Sequence, residues 1–317
     1  MDKVVRIVYM GTPDFAVPAL NALCRSGMAP VLVVTRPDRP RGRGHRLAHT
    51  PVKEKALELG LPVLQPDSLR DGGEWARALQ RVRPDLIVVC AYGKILPKET
   101  LGVPRLGCVN IHASLLPKYR GAAPVHRAVE AGEIESGVTL IYMSEGMDEG
   151  DIIASRSISI KGMTSGEATG SLAQLGAELL SDELSTIIGG TARRVPQDDA
   201  EATYAPPVLR EEGSIDFSGA PDGIVRKILA MTPSPGAYAF LGVEKIKVIG
   251  ACASLDTFGN KAPRPGEVVS VSGGVIRIAS GKGGSVEITR LQSPGGKPMS
   301  SAEWLRGHAL EPGALFE

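Results

Sequence analysis

The sequence holds only four cysteines, Cys24, Cys90, Cys108 and Cys252, and no two of them form a Cys-x-x-Cys pair. Three lie in apolar runs, where a thiol behaves as a small hydrophobe, so neither a structural metal nor a disulfide framework is expected. The chain also lacks any apolar run of the roughly 18 residues that a membrane helix needs. Its N-terminus passes straight into a strand pattern, without the charged, apolar and small-residue succession of a signal peptide, so a cytoplasmic protein with no membrane partner is expected. Charge of one sign is scarce too. A net charge of +1 excludes a uniformly basic surface that grips nucleic acid non-specifically, and any such contact must be local. What is present is globular composition, with 43% hydrophobic and 22% charged residues over 317 positions, enough for two packed domains.

The first half alternates β-branched apolar runs with helical spacing. Residues 4–10, 31–35, 86–91, 108–112 and 138–143 read as strands, and their near-continuous apolar character suits strands covered on both faces. Residues 16–26, 52–60, 73–82 and 123–131 read as helices between them, the pattern of a doubly wound, Rossmann-like parallel sheet. Ligands of such sheets sit beyond the carboxyl ends of the strands. A longer helical pattern over residues 165–188 is followed by Gly189-Gly190 and a polar stretch, which places the end of the first domain near residue 205. Residues 206–317 then change character. After a short helix near residues 224–230 come brief strands near 238–241, 245–251, 267–271, 275–279 and 285–291, punctuated by Gly and Pro, which suggest a small OB-like β-barrel.

Within residues 108–114, strand alternation puts Asn110 and His112 on one face and Val109 and Ile111 on the other. An amide donor beside an imidazole can polarise a carbonyl, stabilise the oxyanion of a tetrahedral intermediate and handle a proton near neutral pH. A strand-end pair that only satisfies loop backbone groups would present the same residues. The next segment, Leu115 to Pro124, is irregular, with two prolines and a glycine where the ligand site of the sheet should lie. Farther on, Glu145-Gly146-Met147-Asp148-Glu149-Gly150-Asp151 follows another strand, so that a carboxylate can reach the same end of the sheet. Asp148 is the expected partner that orients His112, and an acidic turn exposed to water is the alternative.

Taken in order, Gly11-Thr12-Pro13-Asp14-Phe15-Ala16-Val17-Pro18, Asn110-Ile111-His112, Ser114-Leu115-Leu116-Pro117, Arg120-Gly121-Ala122-Ala123-Pro124 and Gly146-Met147-Asp148-Glu149-Gly150-Asp151 resemble the methionyl-tRNA formyltransferase family over essentially the whole chain. The resemblance implies a formyltransferase domain over residues 1–205 and a tRNA-binding domain over 206–317. It implies 10-formyltetrahydrofolate as formyl donor, the α-amino group of initiator methionyl-tRNA as acceptor, Asn110, His112 and Asp148 as the catalytic set, and no metal or nucleotide cofactor. By the same resemblance Ser114, Leu115, Leu116 and Pro117 contact folate, and residues 90–96 line the pterin pocket with backbone groups. A monomer is expected.

The acceptor also gives meaning to a cluster of Arg36, Arg39, Arg41, Arg43 and Arg46 with His45, interrupted by Gly42 and Gly44 and opposed only by Asp38. A solvated charge run has the same composition, but the family's Gly-Arg-Gly loop matches Arg43, and a flexible basic arm of Arg41, Arg43 and Arg46 could follow tRNA phosphates. Lys245, Lys247 and Arg264 could extend that track. The sequence departs from the family's usual pattern at Met147, Glu149 and Ser234, none of which is an expected chemical group. His49, His126 and His308 are expected to be structural or solvated. Residues 108–151 alone would also fit a nucleotide-sugar formyltransferase or a formyltetrahydrofolate hydrolase. A tRNA-binding protein without turnover would leave Asn110, His112 and Asp148 unexplained.

Overall fold

The computed structural model describes residues 5–41, 46–70, 73–255 and 262–317. It divides into two compact units, one of Met1–Pro124, Ser136–Ile158 and Thr169–Ala205, the other of Val125–Glu135, Ser159–Ala168 and Pro206–Glu317.

In chain order the first part of the sequence forms β1 (Ile7–Gly11), α1 (Val17–Arg25), β2 (Leu32–Val34), a short pair β3 (Arg39–Arg41) and β4 (Arg46–Ala48), α2 (Pro51–Glu58) and β5 (Val63–Leu64). There follow α3 (Glu74–Val82), β6 (Leu86–Cys90), α4 (Lys98–Leu101), β7 (Cys108–His112), β8 (Arg120–Gly121), α5 (Pro124–Ala131), β9 (Glu135–Tyr142), β10 (Ile152–Ser159), α6 (Ser165–Ile188) and β11 (Tyr204–Ala205). Seven strands make one sheet in the order β10-β9-β7-β6-β1-β2-β5. The pairs β5/β2, β2/β1, β1/β6 and β6/β7 are parallel. Both faces are covered, as a parallel sheet requires. Val8, Met10, Leu32, Val34, Ile87 and Val89 pack with Trp75, Leu79 and Val82 of α3, while the alternate residues Ile7, Tyr9, Val33 and Val88 are equally buried.

One expectation is overturned. The strand read over residues 138–143 as a further member of the parallel set is antiparallel, with Asn110 opposite Ile141 and His112 opposite Thr139. Its end, Tyr142, therefore lies beside Val109 near the start of β7, so the segment after it has to double back to reach the strand end. β10, which periodicity did not reveal, completes that edge of the sheet.

The second unit adds α7 (Pro221–Met231), β12 (Ala237–Leu241), β13 (Glu244–Ser254), β14 (Val268–Ser272), β15 (Val275–Ala279), β16 (Ser285–Gln292), β17 (Met299–Ser300) and α8 (Ser301–Leu305). Its strands are antiparallel in the order β12-β13-β16-β15-β14, with β17 against β16. Ile224 and Ile228 of α7, Val248, Ile276, Ile278, Val286 and Ile288 of the sheet, and Trp304 of α8 are buried. Arg127 binds Glu212 at 2.7 Å and Lys227 binds Glu130 at 2.8 Å, tying residues 125–135 to the rest of this unit. His126 Nε2 donates to Ser234 O at 3.1 Å, and His308 stacks on Trp304 at 4.1 Å.

Helix α6 approaches the sheet closely at Gly176. A Cβ placed there would stand 2.8 Å from Ile111 Cγ2 and 3.3 Å from Val138 Cγ1. Ile111 lies between Asn110 and His112 on β7, so this contact seats the strand that carries both. Gly176→Val is expected to overpack the interface, lowering stability by about 1–3 kcal/mol and the melting temperature by several degrees. Calorimetric melting is the check, and an unchanged melting temperature would contradict this seating of the helix.

Candidate active site

The candidate site is assembled at the carboxyl end of β7. Pleat alternation turns Asn110 and His112 to the same face, His112 being 6% exposed and Asn110 half-buried. His112 Nε2 lies 3.0 Å from Tyr119 O, and because a carbonyl only accepts, Nε2 carries the hydrogen. The other ring nitrogen, Nδ1, faces Asp148 Oδ2 at 3.5 Å. Asn110 Nδ2 points at Asp148 Oδ1 at 3.4 Å. One carboxylate thus faces both side chains, one oxygen to each, as the sequence reading expected it to face His112.

That carboxylate is held by groups to which the sequence analysis gave no such role. The Gly121 N–H donates to Asp148 Oδ2 at 2.9 Å. Gly121 has φ +121 and belongs to β8, which pairs with β11, and a Cβ there would stand 2.8 Å from Ala205 O, so glycine alone fits. Asp148 itself is in the left-handed region, φ 56, and Gln197 Nε2 donates to both Asp148 O and Gly150 O at 2.8 Å. Arg120, only 2% exposed, donates to Gln197 Oε1 and to Asp199 Oδ1. Residues 195–205, expected to be a polar run at the end of a domain, are a strap across the loops that follow β7 and β9. Val195 bonds with Ile152, Gln197 with residues 148 and 150, and Thr203 with Tyr119 and Arg120.

The Ser114–Pro117 loop follows β7 directly. Ser114 is buried and donates to Lys118 O at 2.6 Å, while the buried Thr139 hydroxyl donates to Ser114 O and accepts from Leu116 N. Ser114 and Leu116 therefore shape the loop from inside, and Leu115 and Pro117 are its partly accessible members. Thr12 Oγ1 donates to Tyr92 O at 3.0 Å, joining the end of β1 to the end of β6, where the strand order reverses. Burial pushes the Cys90 and Cys108 thiols up to about 12, so both stay protonated and neither serves as a nucleophile. A cavity of about 650 Å³ lined by Trp75, Leu79, Asp85, Thr100 and Arg105 includes none of the strand-end residues. It adjoins the start of β6, the wrong end of the strands for a ligand of this kind of sheet, and the convergent polar groups locate the site better than volume does.

The Formyl transferase family matches residues 3–184, and Formyl transferase, C-terminal domain, matches residues 208–309. The methionyl-tRNA formyltransferase of Moorella thermoacetica is 45% identical over 315 residues, 98% of this chain and 99% of its own. The chain belongs to the methionyl-tRNA formyltransferase family. Among solved structures, the N-formyltransferase from Helicobacter canadensis in complex with folinic acid and dTDP-3-aminofucose has a TM-score of 0.65 at 17% identity, covering 92% of this chain and all of that one. HypX from Aquifex aeolicus, in complex with tetrahydrofolic acid, has a TM-score of 0.63 at 20% identity over 96% of this chain and 47% of that one. Both likenesses show the fold. Among the described residues no helix is long and apolar enough to cross a membrane, and no group of three or more His, Cys, Asp or Glu could hold a metal ion.

In this member of the methionyl-tRNA formyltransferase family the flanks of the arginine-rich segment are not irregular. Arg39–Arg41 and Arg46–Ala48 pair antiparallel, whereas Arg43 lies outside the described residues. The pair is anchored at its base by Asp38, which accepts from Lys53 at 2.6 Å and from Gln65 at 2.7 Å and meets His49 Nδ1 at 2.7 Å. The hydrogen bond from Lys53, then those from Gln65 and His49, hold the Asp38 carboxyl at about 2. In an unfolded chain it would titrate near ~3.9, so the stabilisation is complete above that value and is lost as pH falls toward the folded one. Asp38→Asn is expected to melt below the parent at neutral pH, with the gap closing as pH falls from about 4 to about 2. A gap that is constant with pH would show that the Asp38 charge contributes nothing.

Proposed function

We propose that Asn110, His112 and Asp148 carry out transfer of the formyl group of 10-formyltetrahydrofolate to the α-amino group of initiator methionyl-tRNA. The observation that carries this reading is the single carboxylate facing both an amide and an imidazole at the end of β7, in a chain alike over its full length to methionyl-tRNA formyltransferases.

The amine attacks the formyl carbon and charge develops on the formyl oxygen. Asn110 directs one amide hydrogen toward Asp148 and keeps the other for that oxygen, the arrangement in which a preorganised donor lowers a barrier. His112 stands beside it as the second donor, its Nε2 hydrogen satisfied by the Tyr119 carbonyl until the formyl oxygen competes for it. Asp148 orients His112 and takes part in removing the proton that the attacking nitrogen must lose. Collapse of the tetrahedral intermediate breaks the bond to the folate nitrogen, which takes up the proton lost by the amine, and releases tetrahydrofolate. The folate lies against Leu115 and Pro117, with Ser114 and Leu116 fixing the loop beneath it, and the residues after β6 border the pterin. The acceptor RNA follows the arginine-rich arm of Arg41, Arg43 and Arg46 and the antiparallel unit of residues 206–317, read as an OB-like surface.

The direct test is formylation of methionyl-tRNA by the purified protein with 10-formyltetrahydrofolate, with free methionine, a nucleotide-sugar amine and water as competing acceptors. Transfer to any competitor in preference to the tRNA would overturn the assignment. Asn110→Ala, His112→Ala and Asp148→Ala are each expected to lower kcat by about a hundredfold or more with little change in KM for the tRNA. Arg43→Ala is expected to do the reverse, raising KM for the tRNA and flattening its salt dependence while kcat holds. Kinetics with methionyl-tRNA that match the parent's at both low and high salt would remove the arm from the proposal.

A further inference from the structure

Asp148 is asked to sit where a non-glycine residue is strained, and its carboxylate has to stay within reach of two side chains on another strand. The Gly121 N–H fixes the carboxylate end. At the backbone end, the Gln197 amide donates to both Asp148 O and Gly150 O. The orientation of the Gln197 amide is unambiguous, because its two acceptors are carbonyls and its other partner, Arg120, can only donate. Arg120 in turn is buried and braced by Asp199, so the Gln197 amide is held in one rotamer with its donor side toward the acidic loop.

We infer that Gln197 is a positioning residue for formyl transfer, which holds residues 148–150 in the conformation that aims the Asp148 carboxylate at Asn110 and His112, with Arg120 locking Gln197 in place. The inference rests on reading Asp148 as a member of the catalytic set. It goes beyond that reading by assigning a role to the chain after α6, which the sequence suggested was only the polar end of a domain.

Gln197→Glu isolates the role. Glutamate keeps an oxygen for Arg120 but loses the N–H that holds the two carbonyls, and turns a carboxylate toward them. With kinetics measured at single turnover, Gln197→Glu is expected to lower the transfer rate by about tenfold to a hundredfold, the scale of a small misplacement of a catalytic group. KM for both substrates should change little and the melting temperature should stay within a few degrees of the parent. Added to Asp148→Ala, the same substitution should cause no further loss, because there is no carboxylate left to aim. A parental rate for Gln197→Glu, with Asp148→Ala impaired, would overturn the inference and leave the catalytic set standing. A further loss in the double variant, or unfolding of Gln197→Glu at the assay temperature, would reduce Gln197 to a general support of the fold and also overturn it. A parental rate for Asp148→Ala would show instead that the catalytic set itself was misread.

Discussion

Asp148 meets Asn110 and His112 because the connection from β9 doubles back along the sheet. With β9 antiparallel to β7, the strand that precedes Asp148 ends near Val109, on the far side of Asn110 from His112. The return path of residues 143–151 would be one of many for a free loop, and its closure carries an entropic cost. Hydrogen bonds to other segments select it: Met143 N–H to Cys108 O at the start, Gly121 N–H to the carboxylate, Gln197 to the backbone, and Tyr142 N–H to Asp151 O at the close. Bonds to an ionised carboxylate are the stronger kind, so the Gly121 contact contributes to loop order as well as to charge placement.

This dependence makes the site a product of distant parts of the chain. Residues 110–121, 148–150 and 197–205 converge, and the two-residue pairing of β8 with β11 is what brings the last of them to the first. A short parallel pair of this size has little intrinsic stability. Here it is reinforced by the Thr203 side chain, which accepts from Tyr119 N, and by the Arg120–Asp199 ion pair. The basic arm is built on the same plan at another strand end, where a single carboxylate, Asp38, gathers Lys53, Gln65 and His49 beneath a two-stranded pair. In both places one carboxylate gathers polar partners from separate stretches of the chain.

Much of this was legible in the sequence wherever a period decides the structure. The apolar runs around β1, β2, β6 and β7, the helical spacing of α3 and α6, and the shared face of Asn110 and His112 follow from repeats of two and 3.6 residues. Strand direction has no such signature. The run that became β9 is as apolar as its parallel neighbours, being buried on both faces, and periodicity cannot tell which way it is threaded. β10 escaped because most of its residues are exposed or half-exposed at the sheet edge, which removes the alternation a strand would otherwise show. Tyr119 and Gln197 were invisible for another reason. Tyr119 acts through a carbonyl that every residue possesses, and Gln197 lies in a polar run whose partners are backbone groups far away in sequence.

The left-handed backbone of Asp148 sets two demands against each other. At φ 56 a glycine would sit without strain and an asparagine with little, yet glycine would bring no side chain to the pair on β7 and asparagine would bring no charge. Backbone ease and the role proposed for the carboxylate therefore favour different residues at this position, and the chain carries the aspartate. The surrounding hydrogen bonds are what let it do so, since they absorb a conformational cost that the residue would not bear in isolation.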